Sequence, residues 1–408
     1  MKKFPLHYQI LVAIIFGGLF GFYFTEQIAY VDWMGTIFMR ALKMIVVPLV
    51  FCMVMTGVAS ISATDGFLRL GGKTIGYYLA TTVVAILTGL FLVNLIKPGE
   101  GLHIALPETP TALITTQMTL RDFLINIVPD NVFAAMSANN MIGIIVFAIC
   151  FGVFLGKSKH TSAQKVLHGF ESIGDVILNF TLFILKLAPI GIFGLIASVV
   201  AAEASTPEQL RTMMESQGLY LFTVILGIVF HMFVTLSILL WMVGGINPFK
   251  HIQRMKDVML MAFSTASSAA TLPLLLSHVK SRAGVSDKLA NFTLPLGTTI
   301  NMNGTALYEG VVVLFIAQVY GLELALSQQL FVLLAALMVG IGAAGIPMAS
   351  LVMTVVIIQM VGLPPESIGL ILLVDRFADM ARTCLNVYGD TVCTVLIAKS
   401  EGENVQLR

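Results

Sequence analysis

Long stretches without a charged residue restrict how this chain can fold more than any other feature. No Asp, Glu, Lys or Arg occurs in residues 44–64, 74–96, 131–156, 216–249 and 324–365. A membrane-spanning helix needs about 20 predominantly apolar residues, and most of these runs are long enough for one or more. Charged residues make up only 11% of the chain, against about 25% in soluble domains. The sequence therefore predicts an all-α polytopic membrane protein.

Hydropathy and helix-breaking residues divide the chain into eight spans and two interrupted segments. The spans are predicted near 6–27, 34–62, 74–97, 119–156, 170–202, 217–246, 287–318 and 366–398. The two other apolar segments, about 253–280 and 327–362, are each interrupted near the middle by small residues and a proline. We interpret the first span as a genuine one because it lacks the short apolar core and small-residue cleavage pattern of a signal peptide.

The distribution of Lys and Arg predicts that both termini are cytoplasmic. The outside segments then carry only Lys97, Arg121 and Arg211. The inside segments carry Lys2, Lys3, Arg69, Lys73, Lys157, Lys159, Lys165, Lys250, Arg254, Lys256, Lys280, Arg282, Lys288, Lys399 and Arg408. This bias continues past residue 253 only if each interrupted segment enters and leaves by the same face. We therefore expect two re-entrant hairpins.

The two hairpins share a local motif and are predicted to open to opposite sides. Residues 269–273 read Ala-Ala-Thr-Leu-Pro, and residues 343–347 read Ala-Ala-Gly-Ile-Pro. Backbone that is not helical at membrane depth must be buried in protein or line a cavity. Paired, interrupted segments of opposite orientation are typical of the substrate site of a transporter.

A stripe of polar residues marks the last predicted span. Its members, at intervals of four, three, four and four, are Asp375, Asp379, Arg382, Asn386 and Asp390. This spacing puts them on one helix face, and the cost of ionisable groups in lipid predicts that the face is turned inward. One interpretation is an Asp–Arg pair that holds two helices together. The other is a groove in which Arg382 binds a carboxylate and Asp379 binds an ammonium group, as an acidic amino acid would require.

A second polar motif lies in the preceding span, where residues 297–305 read Gly-Thr-Thr-Ile-Asn-Met-Asn-Gly-Thr. Such a run is a poor helix interior. It predicts an unwound stretch whose oxygens hold a hard cation such as sodium. A hydrogen-bonded helix kink is the alternative.

At these motifs the sequence resembles the dicarboxylate/amino acid:cation symporters, which include bacterial glutamate/aspartate symporters, archaeal aspartate transporters and mammalian excitatory amino acid transporters. Residues 267–273 and 342–347 resemble the two hairpin tips of the family, and residues 301–305 resemble its Asn-Met-Asp-Gly-Thr signature with one change. The resemblance implies a glutamate-transporter fold and a homotrimer in the cell inner membrane, with elevator-like transport domains. Scaffold elements are expected at about 34–64 and 119–202, and the transport core at about 74–97 and 217–400.

The resemblance also implies which residues hold the substrate. Arg382, helped by Thr305, would bind the side-chain carboxylate. Asp379 and Thr383 would bind the amino group. The α-carboxylate would lie against Asn386 and the two hairpin tips, at Ser267, Ser268 and Gly345.

Three sodium positions follow from the same resemblance. The first would be formed by Asp390, Asn301, Gly297 and Asn386. The second would combine Thr299 with backbone carbonyls of the second hairpin, at Gly340, Ile341 and Ala343. The third would involve Tyr78, Thr81, Thr82 and Asn303. Relatives have an acid in place of Asn303, and a neutral amide binds a cation less well, so we expect this third site to be weakened or absent.

Glu309 stands where the mammalian relatives, but not the archaeal ones, carry a proton-bearing glutamate. Desolvation at mid-membrane favours the neutral form of a carboxyl group, so Glu309 is a candidate for proton coupling; a Glu satisfied by a polar neighbour is the alternative. Three further departures are Ala266 and Met380, which stand where relatives place an accessory arginine, and Ser350, which stands where glycine is usual.

The function predicted is symport of glutamate or aspartate with sodium, protons or both, in contact with lipid and without other cofactors or nucleic acid. Carriers of cystine, neutral amino acids or C4-dicarboxylates are alternatives within the family. Arg382 argues against a small neutral substrate, and Asp379 against one without an amino group. An intramembrane aspartyl protease would need facing acids on two helices, whereas the acids of the stripe share one. A passive channel is less consistent with a charged groove between two gates.

Overall fold

In the part of the chain that the computed structural model describes, all regular secondary structure is helical and there is no β-strand. The described residues are 6–62, 68–102, 128–138, 140–158, 160–204, 206–341 and 349–405. The helices are α1 (Leu6–Tyr23), α2 (Asp32–Ser62), α3 (Leu68–Ile96), α4 (Val132–Ser137), α5 (Met141–Lys157), α6 (Thr161–Lys186), α7 (Ala188–Glu203), α8 (Pro207–Phe230), α9 (Leu236–Met242), α10 (Pro248–Thr265), α11 (Ser268–Ala283), α12 (Asp287–Ile300), α13 (Asn303–Val319), α14 (Leu326–Ile341), α15 (Ala349–Val361) and α16 (Leu372–Ser400).

Several helical segments have the length and apolarity needed to cross a membrane. Within the described residues four do so as continuous segments: Asp32–Ala59, Arg69–Ile96, Pro207–Met242 and Asp287–Val319. The helices α6 and α7, bent by 56° at Leu187, pass the same criterion only when taken together. The region predicted as one span at 170–202 is therefore two helices rather than one continuous helix. Pro189 explains the bend, because proline fits the first turn of a new helix but not the interior of a continuous one.

Other predicted boundaries also shift. The last span begins at Leu372, six residues later than predicted, because a 3₁₀ turn at Pro365–Leu370 precedes it. The described part of the 119–156 span is two helices, α4 and α5, and residues 119–127 lie outside the described residues. The side chains of Asn131 and Asn140 cap α4 and α5, which fixes two separate helix starts.

The first interrupted segment forms two helices, α10 and α11, that pack against each other. The turn between them is at Ala266, whose φ of 49° is in the left-handed region, and Ser267 then caps α11. The predicted interruption of this segment is therefore at Ala266 and Ser267, whereas Pro273, the other end of the predicted tip, lies inside α11. The chain therefore turns before the shared motif, which opens the second helix.

Both ends of this first hairpin lie at the same end of the helix bundle. Before α10, the Gly244 carbonyl accepts a hydrogen bond from Lys399, which lies at the end of α16. After α11, the Ser286 amide donates to Glu403, 2.9 Å away. The hairpin thus enters and returns beside the C-terminal end of α16.

The second hairpin, α14 and α15, starts and ends at the opposite end of the bundle. Gln329 in α14 accepts a hydrogen bond from Asn94 near the end of α3, at 2.7 Å. After α15, the Leu370 carbonyl accepts one from Gln217 in α8. The predicted tip, residues 342–348, lies outside the described residues.

The helices pack in two groups that share a boundary. One group contains α1, α2, α5, α6 and α7, and the other contains α3, α8 and α10 to α16. In the second group α13 lies between α3 and α16, and its side chains are buried on every face. Elements on the boundary, such as α15 against α2, connect the groups. The polar stripe of α16 consequently faces protein on all sides.

Candidate functional site

The helix pair α12 and α13 is interrupted for two residues opposite the stripe of α16. The α12 helix ends at Ile300, and Asn301 and Met302 leave the helical conformation with ψ angles of 79° and 45°. This confirms the predicted unwound stretch, but restricts it to the Asn-Met step. Thr298 and Thr299 remain in α12, where both hydroxyls donate to the Pro295 carbonyl.

The five stripe residues of α16 all point into the protein. Their exposed fractions lie between 0% and 5%. The predicted inward face is therefore confirmed, and buried charges of this kind must be paired or hydrogen-bonded. They divide into two centres, one around Arg382 and one around Asp390.

The arginine centre is a set of ion pairs and hydrogen bonds around the Arg382 guanidinium. Its Nε and Nη2 atoms lie 3.2 and 3.0 Å from Asp379 Oδ1, and Nη1 lies 3.6 Å from Asp375 Oδ1. Nη2 also donates to the Ser350 hydroxyl. The guanidinium lies over the Tyr308 ring, 4.2 Å from its centroid, a cation–π contact that favours the charged form.

Tyr308 and Ser350 were not predicted as members of this centre. The Tyr308 hydroxyl donates to Asp375 Oδ1 at 2.6 Å, so one tyrosine supports both the arginine and its second carboxylate. Ser350 had been singled out only as a departure from glycine. Its hydroxyl is what this residue adds, and it gives the second hairpin a direct contact with Arg382.

Asn386 connects the arginine centre to the start of α13. Its side-chain oxygen Oδ1 accepts from the Gly304 backbone amide at 2.7 Å, and its side-chain nitrogen Nδ2 donates to the Thr305 hydroxyl at 3.2 Å. A Cβ atom at Gly304 would overlap the Arg382 backbone. Glycine is therefore required for α13 to approach α16 this closely.

The Asp390 centre contains one acid and neutral polar groups. The Asn301 amide donates to Asp390 Oδ1 at 2.8 Å and to the Asn386 carbonyl at 3.1 Å. Among the described residues, no hydrogen-bond partner faces the other oxygen of Asp390 or the side-chain oxygen of Asn301. A side chain at Gly297 would collide with the Asp390 carboxylate and the Tyr78 hydroxyl. Buried oxygens left in this way suit a hard cation with a flexible coordination shell.

A model of the sodium:dicarboxylate symporter family matches residues 6–400 of this chain. The chain belongs to this family.

Curated relatives cover the chain almost end to end. The proton/sodium-glutamate symport protein of Bacillus caldotenax is 33% identical over an alignment of 417 positions, which covers 99% of this chain and 96% of that protein. The proton/glutamate-aspartate symporter of Escherichia coli (strain K12) is 31% identical, and the alignment covers 98% of this chain and 93% of that protein. Excitatory amino acid transporter 1 of Ambystoma tigrinum is 31% identical, and the alignment covers 94% of this chain and 80% of that protein. Membership of a symporter family sets aside the protease interpretation.

In this symporter Asn303, the amide of the third predicted cation cluster, is hydrogen-bonded to Thr82. The Thr82 hydroxyl donates to Asn303 Oδ1 at 2.6 Å, and the Asn303 amide nitrogen has no hydrogen-bond partner among the described residues. The Thr81 hydroxyl donates to the Tyr78 carbonyl, and the Tyr78 hydroxyl donates to the Thr293 carbonyl. No group of three His, Cys, Asp or Glu suited to a metal occurs in the described part of the chain.

Glu309 is buried in α13 and is connected to the second hairpin. The Thr354 hydroxyl of α15 lies 3.3 Å from Glu309 Oε1 and 2.8 Å from the Ser350 carbonyl. The second carboxyl oxygen of Glu309 has no hydrogen-bond partner among the described residues. The predicted polar neighbour thus exists, and it belongs to the same hairpin that contacts Arg382.

The remaining predicted site residues are placed as follows. Ser267 and Ser268 are buried at the first hairpin tip, where Ser267 accepts from the Ala270 amide. The Thr383 hydroxyl donates to the Asp379 carbonyl within α16. Gly340 is buried near the end of α14, and Ile341 ends that helix. Ala343 and Gly345 lie outside the described residues.

Proposed function

We propose that this chain imports an acidic amino acid, glutamate or aspartate, by symport with sodium, protons or both. The observation that carries the proposal is the unequal use of the Arg382 donors. Nε and Nη2 are held by Asp379 and Ser350, whereas Nη1 is buried and has no hydrogen-bond partner among the described residues. A planar guanidinium binds a carboxylate through two prongs, so Nη1 would supply one donor and the second would be released from Asp379. The names of the glutamate and aspartate symporters that this chain resembles agree with that chemistry.

Substrate binding in this proposal is an exchange of partners. Arg382 turns from Asp379 to the side-chain carboxylate, helped by Thr305. Asp379 receives the ammonium group together with Thr383. The α-carboxylate is received by Asn386 and by the two hairpin tips.

The Asp390 centre is proposed as a sodium site. Its two unpartnered oxygens belong to side chains that are already hydrogen-bonded to each other at 2.8 Å. Sodium would add to this pair, and Gly297 allows the Asp390 carboxylate to approach α12 closely. A second sodium, on Thr299 and the carbonyls of the second hairpin tip, would bind as that hairpin closes.

Coupling to protons is proposed to replace one sodium. At the third cluster the Asn303 side chain offers no charge, and its Oδ1 is engaged by Thr82. Glu309 can carry a proton, and through Thr354 it acts on the second hairpin. A proton on Glu309 would remove a buried charge beside the second hairpin.

The packing groups support the predicted elevator arrangement. The group of α2, α5, α6 and α7 is proposed as the scaffold of a homotrimer, and the group of α3, α8 and α10 to α16 as the transport domain. Both ends of the first hairpin meet the end of α16, close to Lys73 and Arg69. This agrees with a cytoplasmic C-terminus in a cell inner membrane.

A binding titration of the purified protein tests the substrate. Aspartate, glutamate and succinate are titrated with and without sodium. We expect the two amino acids to bind and succinate to bind at least tenfold more weakly, since it lacks the group for Asp379. Arg382→Ala should abolish binding, with Arg211→Ala, an exposed arginine paired to Glu215, as the matched control. Unchanged affinity in Arg382→Ala would contradict the proposal.

Uptake into proteoliposomes tests the coupling ion. Imposed sodium and pH gradients are compared in the native protein, Glu309→Gln and the exposed control Glu100→Gln. We expect a pH gradient to drive uptake, and Glu309→Gln to lose that response while still binding substrate. Uptake driven by sodium alone, and unchanged in Glu309→Gln, would overturn proton coupling.

A further inference from the structure

An open groove lies where α8 and α9, which together form one span-length segment, meet the start of the first hairpin. Its walls come from α9, at Ile238 and Trp241, and from the connection to α10, at Gly245, Asn247 and Phe249. The Trp241 and Phe249 side chains are 67% and 82% exposed. Tryptophan at the end of a span is typical of the layer where the hydrocarbon core meets the lipid head groups. The groove therefore lies at the level of that layer.

An exposed apolar strip leads from the groove along the spanning segment. Val234, Ile238 and Trp241 follow one another at intervals of four and three residues, which places them on one helix face. Each is at least 39% exposed. In a membrane an apolar face of this kind is covered by acyl chains rather than by water.

The opposite end of the groove carries a lysine. The ammonium group of Lys399, at the end of α16, donates to the Gly244 carbonyl. Gly245 has a φ of 55°, in the left-handed region that favours glycine, and a Cβ atom there would lie 3.2 Å from Lys399 Nζ. Apart from chain neighbours, no other atom of the described residues lies within 4 Å of that point. The ammonium, which has three donors, thus faces open space beside the groove.

The charge at this end is not balanced by the nearby acids. No acidic side chain pairs with Lys399 in the described part of the chain, because Glu401 is paired with Lys73 at 2.5 Å and Glu403 accepts from the Ser286 amide at 2.9 Å. The first turn of α10, which begins beside the groove, contains no acid, and a helix N-terminus carries a partial positive charge. The groove is consequently apolar at one end and positive at the other.

We propose that this groove binds one phospholipid with an anionic head group. The phosphate contacts the Lys399 ammonium, and an acyl chain follows the face of Val234, Ile238 and Trp241. Basic groups at a membrane surface attract anionic lipids in this way. Because Lys399 also holds the Gly244 carbonyl, the lipid joins the end of α16 to the base of the first hairpin. The site is distinct from the cation centre, since Lys399 lies nine residues, or about 14 Å along the helix, beyond Asp390.

The test compares phosphatidylglycerol with phosphatidylcholine, which has no net charge. Each lipid is added to the full-length protein in detergent, and its retention is measured by native mass spectrometry and by the shift in thermal unfolding. We expect one phosphatidylglycerol to be retained in preference to phosphatidylcholine and to raise the unfolding temperature. Lys399→Met should weaken its retention about fivefold, the effect of one basic residue beside anionic head groups, whereas Lys399→Arg should preserve it. Lys157→Met, which removes an exposed lysine at the end of α5, is the matched control and should change nothing.

A second variant tests the apolar part of the groove without altering Lys399. Ile238→Trp fills the groove and should also lower the retention of phosphatidylglycerol, whereas Leu95→Trp, at a position on α3 that is 67% exposed, should not. This pair keeps the test decisive if Lys399→Met is not monodisperse. Equal retention of the two lipids by the native protein, or unchanged retention in both Lys399→Met and Ile238→Trp, would overturn the proposal. Equal stabilisation by inorganic phosphate would show a site for a free anion and would also overturn it.

Discussion

The arginine centre and the Asp390 centre lie on the same helix, eight residues or about 12 Å apart, yet they treat their charges differently. In the arginine centre every charge faces an opposite charge: Arg382 contacts Asp379 and Asp375. In the Asp390 centre a single acid contacts a neutral amide, Asn301. Under the proposed function, a substrate would have to displace existing partners at the arginine centre, whereas a cation would add to groups already in place at the Asp390 centre.

Removing the central charge should have the largest effect on stability. Arg382→Met leaves Asp375 and Asp379 buried without their shared cation, and breaking one partner out of a buried pair costs about 3–5 kcal/mol. We expect thermal unfolding in detergent to show a destabilisation of that size. Adding Asp379→Asn should recover part of it. A Met variant as stable as the native protein would mean that the ion pairs of Arg382 do not stabilise the fold.

Asp390→Asn should have the opposite profile. The amide oxygen can still accept from Asn301, so unfolding should change by less than about 1 kcal/mol, within the range of a single neutral hydrogen bond. Sodium-dependent binding of aspartate should weaken at least tenfold, because a cation loses its only carboxylate ligand in this centre. A sodium titration at fixed aspartate measures this. Normal sodium dependence would remove the contrast between the two centres.

Asn303→Asp should sharpen the contrast by adding a second acid on the cation side. The Thr82 hydroxyl can still donate to the new carboxylate, as it does to Asn303 at 2.6 Å. We expect a steeper and several-fold tighter dependence of aspartate binding on sodium. Thr82→Val in the same background should reduce the gain. No change in steepness would show that this cluster does not hold a cation.

The smallest effect is expected from a partly exposed ion pair at the C-terminal end of α16, between Lys73 and Glu401. A hydrogen bond from Lys73 Nζ, 2.5 Å away, lowers the pKa of Glu401, and Arg69 adds to the effect. Because the folded pKa is the lower one, the stabilisation is present above the unfolded value of about 4.3 and is lost as the pH falls through the folded value. Glu401→Gln should thus be slightly less stable at neutral pH and indistinguishable in acid. In a Lys73→Gln background this pH-dependent effect should be smaller, because only Arg69 then remains to lower the pKa of Glu401.

The polar stripe could be predicted because helical spacing alone places residues on one face. Asp379, Asn386 and Asp390 needed no tertiary information to be assigned to an inward face. The break at Asn301 was likewise predictable, since Asn and Gly in an apolar span are poor helix formers. Both predictions depend only on residues that are close in sequence, so they needed no knowledge of how the helices pack.

The partners of the stripe could not be predicted in the same way. Tyr308 lies 67 residues from Asp375 in sequence, and α13 is buried on every face, so its apolar residues show no periodic side that would indicate which ones face α16. Ser350 required the packing of the second hairpin. The turn of the first hairpin did have a local signal, because Ser267 is a strong N-cap residue and marks the start of α11.

The close approach at Gly304 limits how this protein can be altered. Since α13 begins against the backbone of Arg382, the amide that meets Asn386 and the hydroxyl of Thr305 are fixed by the same contact. The backbone carbonyl of Asn386 in turn accepts a hydrogen bond from the Asn301 side chain. Redesigning substrate preference at Thr305 or Asn386 will therefore also retune the ion dependence, and selection for a new substrate is expected to return compensating changes near Asp390.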